Sequence, residues 1–189
     1  MKPRTIETPK LCLRQWRDED LPLFAKMNAN PRVREFFPSL LNREESDASV
    51  ARFRQSYEQD GFCFFAAELR KTSRFIGFIG MERMPFPLPR VSQDTVEIGW
   101  RLTPEVWGQG LATEGARAVL QFAFVQAQLA EVAAFTVPAN LPSRRVMEKI
   151  GMSRDPEDDF DHPKLPDRHP LRRHVFYRID RQAWLNQPS

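Results

Sequence analysis

The chain has 189 residues, 41% of them hydrophobic, enough to bury a core and in keeping with one globular domain spanning 1–189. Its net charge of +3 is spread over mixed Lys, Arg, Asp and Glu, with no run of interleaved basic and aromatic residues, which argues against nucleic acid as a partner. There is no N-terminal apolar h-region and no stretch near the roughly 18 apolar residues of a membrane span, so the expectation is a cytoplasmic protein with no membrane partner.

Leu11 to Trp16 alternates and predicts a strand. Asp18 or Asp20 is placed to cap a helix running to about Asn28, and Asn30-Pro31 marks a turn. Ser46 to Gln59 predicts a second helix, with Val50, Phe53 and Tyr57 on one side and Gly61 ending it. Phe62 to Leu69 and Phe75 to Glu82 predict a β-hairpin around Lys71-Thr72-Ser73. The three prolines between Met84 and Pro89 remove ladder donors, so that stretch is an extended loop. A strand over Thr95 to Thr103, a helix from Ala112 to about Gln128, a strand over Glu131 to Val137 and a helix over Pro142 to Ile150 follow. Arg154 to Pro170 reads as a long acidic loop before a last strand, Leu171 to Ile179. The order β-α-α-β-β-β-α-β-α-β predicts an α+β or mixed α/β domain. Cys12 and Cys63, each in a strand-like apolar stretch, are expected as buried thiols, not a disulfide or a metal pair.

The most informative stretch is Trp107-Gly108-Gln109-Gly110-Leu111-Ala112-Thr113, a glycine-bearing turn between strand and helix. Such a turn aims free backbone N–H groups at whatever sits above the helix start, and the helix dipole adds partial positive charge there, so the place suits a pyrophosphate. It is neither a dinucleotide fingerprint nor a P-loop, because Thr113 stands where a Gly or Ala is needed and no Gly-Lys-Ser/Thr follows. In Val96 to Leu102 the even positions are large and apolar, so Glu97, Gly99 and Arg101 share the opposite face. Glu97 there reads either as a base that takes a proton from an amine or as one half of a Glu97–Arg101 pair on a wet face. Asn140, before Leu141-Pro142-Ser143, is a helix cap. His162, His169 and His174 have no compact zinc spacing, so no metal is expected.

Taken together, these stretches resemble the GNAT acetyltransferases, in particular their RimJ/RimL-like branch. Gly110 and Ala112 match the family's acetyl-CoA motif, with Trp107 in place of the usual Gln or Arg. Asn140 to Met152 resembles the second motif, and Thr8 to Arg14 and Phe160 to Tyr177 resemble the branch's opening and ending. The resemblance implies a GNAT fold, a twisted, mostly antiparallel sheet of six to seven strands flanked by about four helices and splayed in the middle. It implies acetyl-CoA as cosubstrate, held by Gln109, Gly110, Leu111, Ala112 and Thr113 with Asn140 and with Arg144 or Arg145, its pantetheine running beside strand 95–103. Glu97 becomes the base of an N-acetyltransferase acting on a protein N-terminus or a small amine. The proton donor is Ser143 or Tyr177 or solvent, because Met147 stands at the position of the family's usual Tyr. Phe36-Phe37-Pro38 walls the acceptor site, the 155–170 loop shapes the acceptor pocket or a dimer contact, and a homodimer is possible. The alternative is an acetyl-CoA-binding sensor or interaction domain that kept the fold without turnover.

Overall fold

The computed structural model describes residues 5–187, so both ends of the expected 1–189 domain lie outside the described residues. In chain order the elements are β1 (Ile6–Glu7), β2 (Leu11–Arg14), α1 (Asp20–Asn28), α2 (Arg43–Asp60), β3 (Phe64–Leu69), β4 (Arg74–Arg83), β5 (Val96–Leu102), α3 (Leu111–Gln121), β6 (Glu131–Thr136), α4 (Leu141–Lys149), β7 (Ser153–Arg154), β8 (Phe160–Asp161), β9 (Arg173–Asp180) and α5 (Arg181–Leu185). Every element expected from the sequence is present in the expected order; the short β1, β7, β8 and α5 are additional.

The sheet order is β1-β2-β3-β4-β5-β6-β9-β7, with β8 also on β9, and all neighbours are antiparallel except β5 and β6. This is the mixed α/β, mostly antiparallel architecture expected. The parallel pair is short: only Val96↔Val132 and Glu97↔Ala133 are in register, while β5 runs on to Leu102 and β6 to Thr136. Beyond Glu97 one edge of β5 therefore has no strand beside it among the described residues, and the sheet splays.

Helices cover both faces. On one, Phe24 of α1 and Phe53 of α2 pack on Phe78 of β4, with ring centroids 6.1 and 5.7 Å away, and Phe53 meets Phe64 edge-on at 5.4 Å. On the other, α3 lies so close that a Cβ on Gly115 would meet Ile79 at 2.4 Å and Leu11 at 3.2 Å. A second apolar cluster, Ala133, Phe160 and Phe176, is covered by Met84, Phe86 and Leu88, so the proline-rich loop packs over the β6–β9 half of the sheet.

Several boundaries differ from the sequence reading. α2 starts three residues before Ser46 because Asn42 and Glu45 form a reciprocal capping box. Neither Asp18 nor Asp20 caps α1, whose N-cap is Glu19 with no side-chain bond. Asp20 instead holds Arg14 in a bidentate pair at 2.7 and 2.9 Å, and Asp18 pairs with Arg54. The helix expected to reach Gln128 gives way after Gln121 to a π turn, Phe122–Gln126. Cys63 lies just before β3 and is buried, whereas Cys12 is only half-buried; both are free.

Candidate active site

The splay opens a cavity of about 690 Å³, walled by β5 from Glu97 to Leu102, the start of α3, the start of α4 and the loop around Phe36-Phe37-Pro38. The turn before α3 is built as its glycines suggest. Gly108 and Gly110 have φ of 75° and 77°, the left-handed region where a side chain is strained, and a Cβ on either would meet nothing within 4 Å. Gly110 is the N-cap and supplies no capping side chain, so the first N–H groups of α3 have no partner of their own helix. Gly110, Leu111, Ala112 and Thr113 line the cavity. Gln109 does not; its side-chain amide turns back to donate to the Glu105 carbonyl at 3.1 Å. Trp107 also lines the cavity and braces the turn, its indole N–H donating to the Leu102 carbonyl at the end of β5 at 2.8 Å.

At the start of α4, Asn140 caps the helix through Oδ1, which accepts from the Ser143 N–H at 3.2 Å, and its Nδ2 donates to Thr136 at 3.0 Å. Asn140, Ser143, Arg145 and Met147 all line the cavity, as does Lys149, which the sequence reading passed over. The two arginines separate: Arg144 turns away to the Pro138 carbonyl and the Tyr177 hydroxyl, leaving Arg145 at the cavity. The Tyr177 hydroxyl donates to Glu148 at 3.0 Å, and the residue does not line the cavity.

Glu97 faces the cavity from the inner end of β5's free edge. Burial pushes its carboxyl up to about 8, and the Glu82 carboxylate, directly across the β4–β5 ladder, pushes in the same direction. Glu82 is itself held by the Ser56 hydroxyl at 2.7 Å and lies 3.8 Å from Arg52. The wet-face pair with Arg101 is not what forms. Arg101 donates from Nη1 to Asn28 at 2.9 Å, and its guanidinium lies 4.1 Å from the Phe37 ring centroid and 5.2 Å from that of Phe78. The face is partly covered, because Gly99 lets the Phe64 ring lie on the strand, where a Cβ would meet it at 2.9 Å, and the rest of it lines the cavity. Neither Glu82 nor the seating of Arg101 had a signal in the sequence, since both depend on pairing register and on α1.

His162 and His174 also line the cavity, their ring centroids 5.0 Å apart. His174 Nδ1 lies 3.0 Å from the Arg172 carbonyl, which can only accept, so that nitrogen carries the proton. Burial holds both imidazoles below their ordinary value, and each is neutral at pH 7. Among the described residues no group of three or more His, Cys, Asp or Glu is placed to hold a metal ion, and no helix is long and apolar enough to cross a membrane.

The model of the family described as Acetyltransferase (GNAT) domain matches residues 10–153. The uncharacterized N-acetyltransferase YnaD of Bacillus subtilis is 31% identical over 150 residues, 79% of this chain and 83% of its own length. The crystal structure of an acetyltransferase of the GNAT family from Bacillus anthracis superposes with a TM-score of 0.77 at 25% identity, over 95% of this chain and 99% of that one. RimJ of Mycobacterium smegmatis, in complex with CoA-disulfide, superposes with a TM-score of 0.76 over 99% of this chain and 93% of that one; at 18% identity the likeness is one of fold.

Proposed function

Because this chain belongs to the GNAT family and is an acetyltransferase, we propose that it transfers an acetyl group from acetyl-CoA to a primary amine. The two substrates bind together in one domain and the amine attacks the thioester directly. The observation that carries this reading is the meeting, along one cavity, of a helix start without a side-chain cap and a strand edge without a neighbour among the described residues. Orphan N–H groups of Gly110 to Thr113 suit a pyrophosphate, and the exposed edge of β5 beyond Glu97 suits the amides of a pantetheine arm. Asn140 would border that arm and Arg145 would meet a phosphate.

When bound, acetyl-CoA supplies an acyl group activated as a thioester. The chain's own residues do the rest. Free amines are largely protonated at pH 7, so the nucleophile must first lose a proton. Glu97, with its raised carboxyl, takes it. As the nitrogen–carbon bond forms and the carbon–sulfur bond breaks, a backbone N–H of β5 steadies the developing oxyanion and the Ser143 hydroxyl returns a proton to sulfur. Positioning within the splay contributes the remainder of the rate.

The test is acetyl-CoA-dependent release of free CoA thiol over a panel of amines and N-terminal peptides. Amine-dependent turnover is expected, falling by roughly 10²-fold in Glu97→Gln with acetyl-CoA binding unchanged. Tight acetyl-CoA binding with no turnover on any amine would replace this reading with that of a sensor domain.

A further inference from the structure

The face of β5 that looks toward α1 and α2 is polarised along its length. At one end stand Glu97 and, across the ladder, Glu82. At the other end stand Arg101 and Arg34, whose guanidinium groups lie 4.1 and 4.4 Å from the same Phe37 ring centroid. Residues four apart on a strand are roughly 13 Å apart at Cα, so the two ends face one pocket without touching. Phe64 and Phe78 form the apolar wall between them.

The carboxylate end is partly matched, since Glu82 takes the Ser56 hydroxyl and has Arg52 nearby. The guanidinium end is not. Among the described residues neither Arg101 nor Arg34 forms an ion pair. Arg34 Nε is satisfied by the Ser39 carbonyl at 2.8 Å, but Arg101 Nε is buried with no hydrogen-bond partner. Burial, and next Arg34 and Arg52, pulls the Arg101 pKa down to about 9, with Glu97 opposing the shift. Glu35, the other acidic residue lining the cavity, does not pair with it. The side chain is nevertheless held in place, because Asn28, which receives Arg101 Nη1, is itself buried and donates to Ser46 of α2 at 2.9 Å. The guanidinium is thus fixed through Nη1 and lines the cavity, and among the described residues no hydrogen bond occupies Nη2, so its outer edge is placed to receive a carboxylate in a fork across Nη1 and Nη2.

We propose that the acceptor is an amine that carries its own carboxylate, which docks on Arg101 while its amine faces Glu97. This rests on the amine-acetylation reading above and narrows its substrate class. Of these groups Glu97 and Arg101 line the cavity while Glu82 and Arg34 do not, so once Glu97 is ionised a carboxylate at its end, or an ammonium at the Arg101 end, would face like charge, and the pocket also sets the orientation of a zwitterion.

The experiment compares kcat/KM, at saturating acetyl-CoA, for α-amino acids and ω-aminocarboxylates of increasing chain length, each against its own carboxamide. The wild type should favour the acid of the best-fitting length by at least about tenfold, the contribution of one charge-assisted fork, with the difference carried by KM. In Arg101→Gln the ratio of acid to amide should fall toward one, and Arg101→Lys, which keeps the charge but not the fork, should retain part of it. No preference in the wild type, or one that survives Arg101→Gln, overturns the proposal. Thermal-shift titration of the same amino acids separates the two readings. If no amine is turned over but the acids still stabilise the wild type and not Arg101→Gln, the anion site stands and the amine-transfer reading fails. Amide turnover with no Arg101-dependent effect leaves the transfer reading standing and ends this one.

Discussion

At the scale of the residue, the controlling fact is that Glu97 sits opposite Glu82 on the β4–β5 ladder, at the wall of the cavity. Its carboxyl is pushed from the ordinary 4.5 to about 8, first by burial and next by Glu82. A base works only when ionised, so kcat should climb with pH and level off above about 8. Removing the neighbouring charge with Glu82→Gln should move that midpoint downward; a midpoint that stays in place would remove Glu97 as the titrating base. The same shift acts on stability. Between pH 4.5 and about 8 the native state keeps a proton that the unfolded chain has released, so stability falls as pH rises through that window. Glu97→Gln, which mimics the protonated form, should therefore melt higher than wild type above pH 8 and alike near pH 4.

At the scale of the element, α1 is attached to the sheet by a buried ion cluster. Arg14 of β2 binds Asp20 of α1 and Glu68 of β3, the last at 2.7 Å, and all three residues are buried. Burial works against the Arg14 charge, but the hydrogen bonds to Asp20 and Glu68 hold its pKa above the ordinary value. Removing Asp20 leaves the Arg14–Glu68 pair in place but strips the two guanidinium N–H groups that Asp20 received of their acceptor, which costs about 1–3 kcal/mol each. Urea denaturation of Asp20→Ala should show a loss of that order with an unchanged slope against denaturant; a loss under about 1 kcal/mol would mean that water replaces the carboxylate. The cluster also serves the site, because α1 carries Asn28 and so sets where Arg101 points.

At the scale of the molecule, the splay divides the nine-stranded sheet of the described residues into two parts whose ladder along β5 and β6 holds two residue pairs. A ligand lying along the open edge of β5 and capping α3 would bind the folded chain and not the unfolded one. Acetyl-CoA at about 100 times its dissociation constant should then add about 2.7 kcal/mol and raise the melting temperature by roughly 5–10 °C. A calorimetric scan with no shift at saturating acetyl-CoA would count against the pyrophosphate and pantetheine assignments together.

The element order, the turn at Gly108 and Gly110 and the cap at Asn140 were legible in the sequence, because periodicity, glycine conformation and capping are local and act within a few residues. The amphipathic face of β5 was legible too, and it singled out Glu97 and Arg101 together. Their state was not. Whether that face is wet or covered depends on α1 and α2, which precede it by tens of residues, and whether Glu97 meets a cation or another carboxylate depends on the β4–β5 register. The same limit explains the two arginines of α4, which are adjacent in the chain yet point to different surroundings. Charges and cavities are set by what packs across space, and that is decided only when strand register and helix placement bring distant residues within a few ångströms of one another.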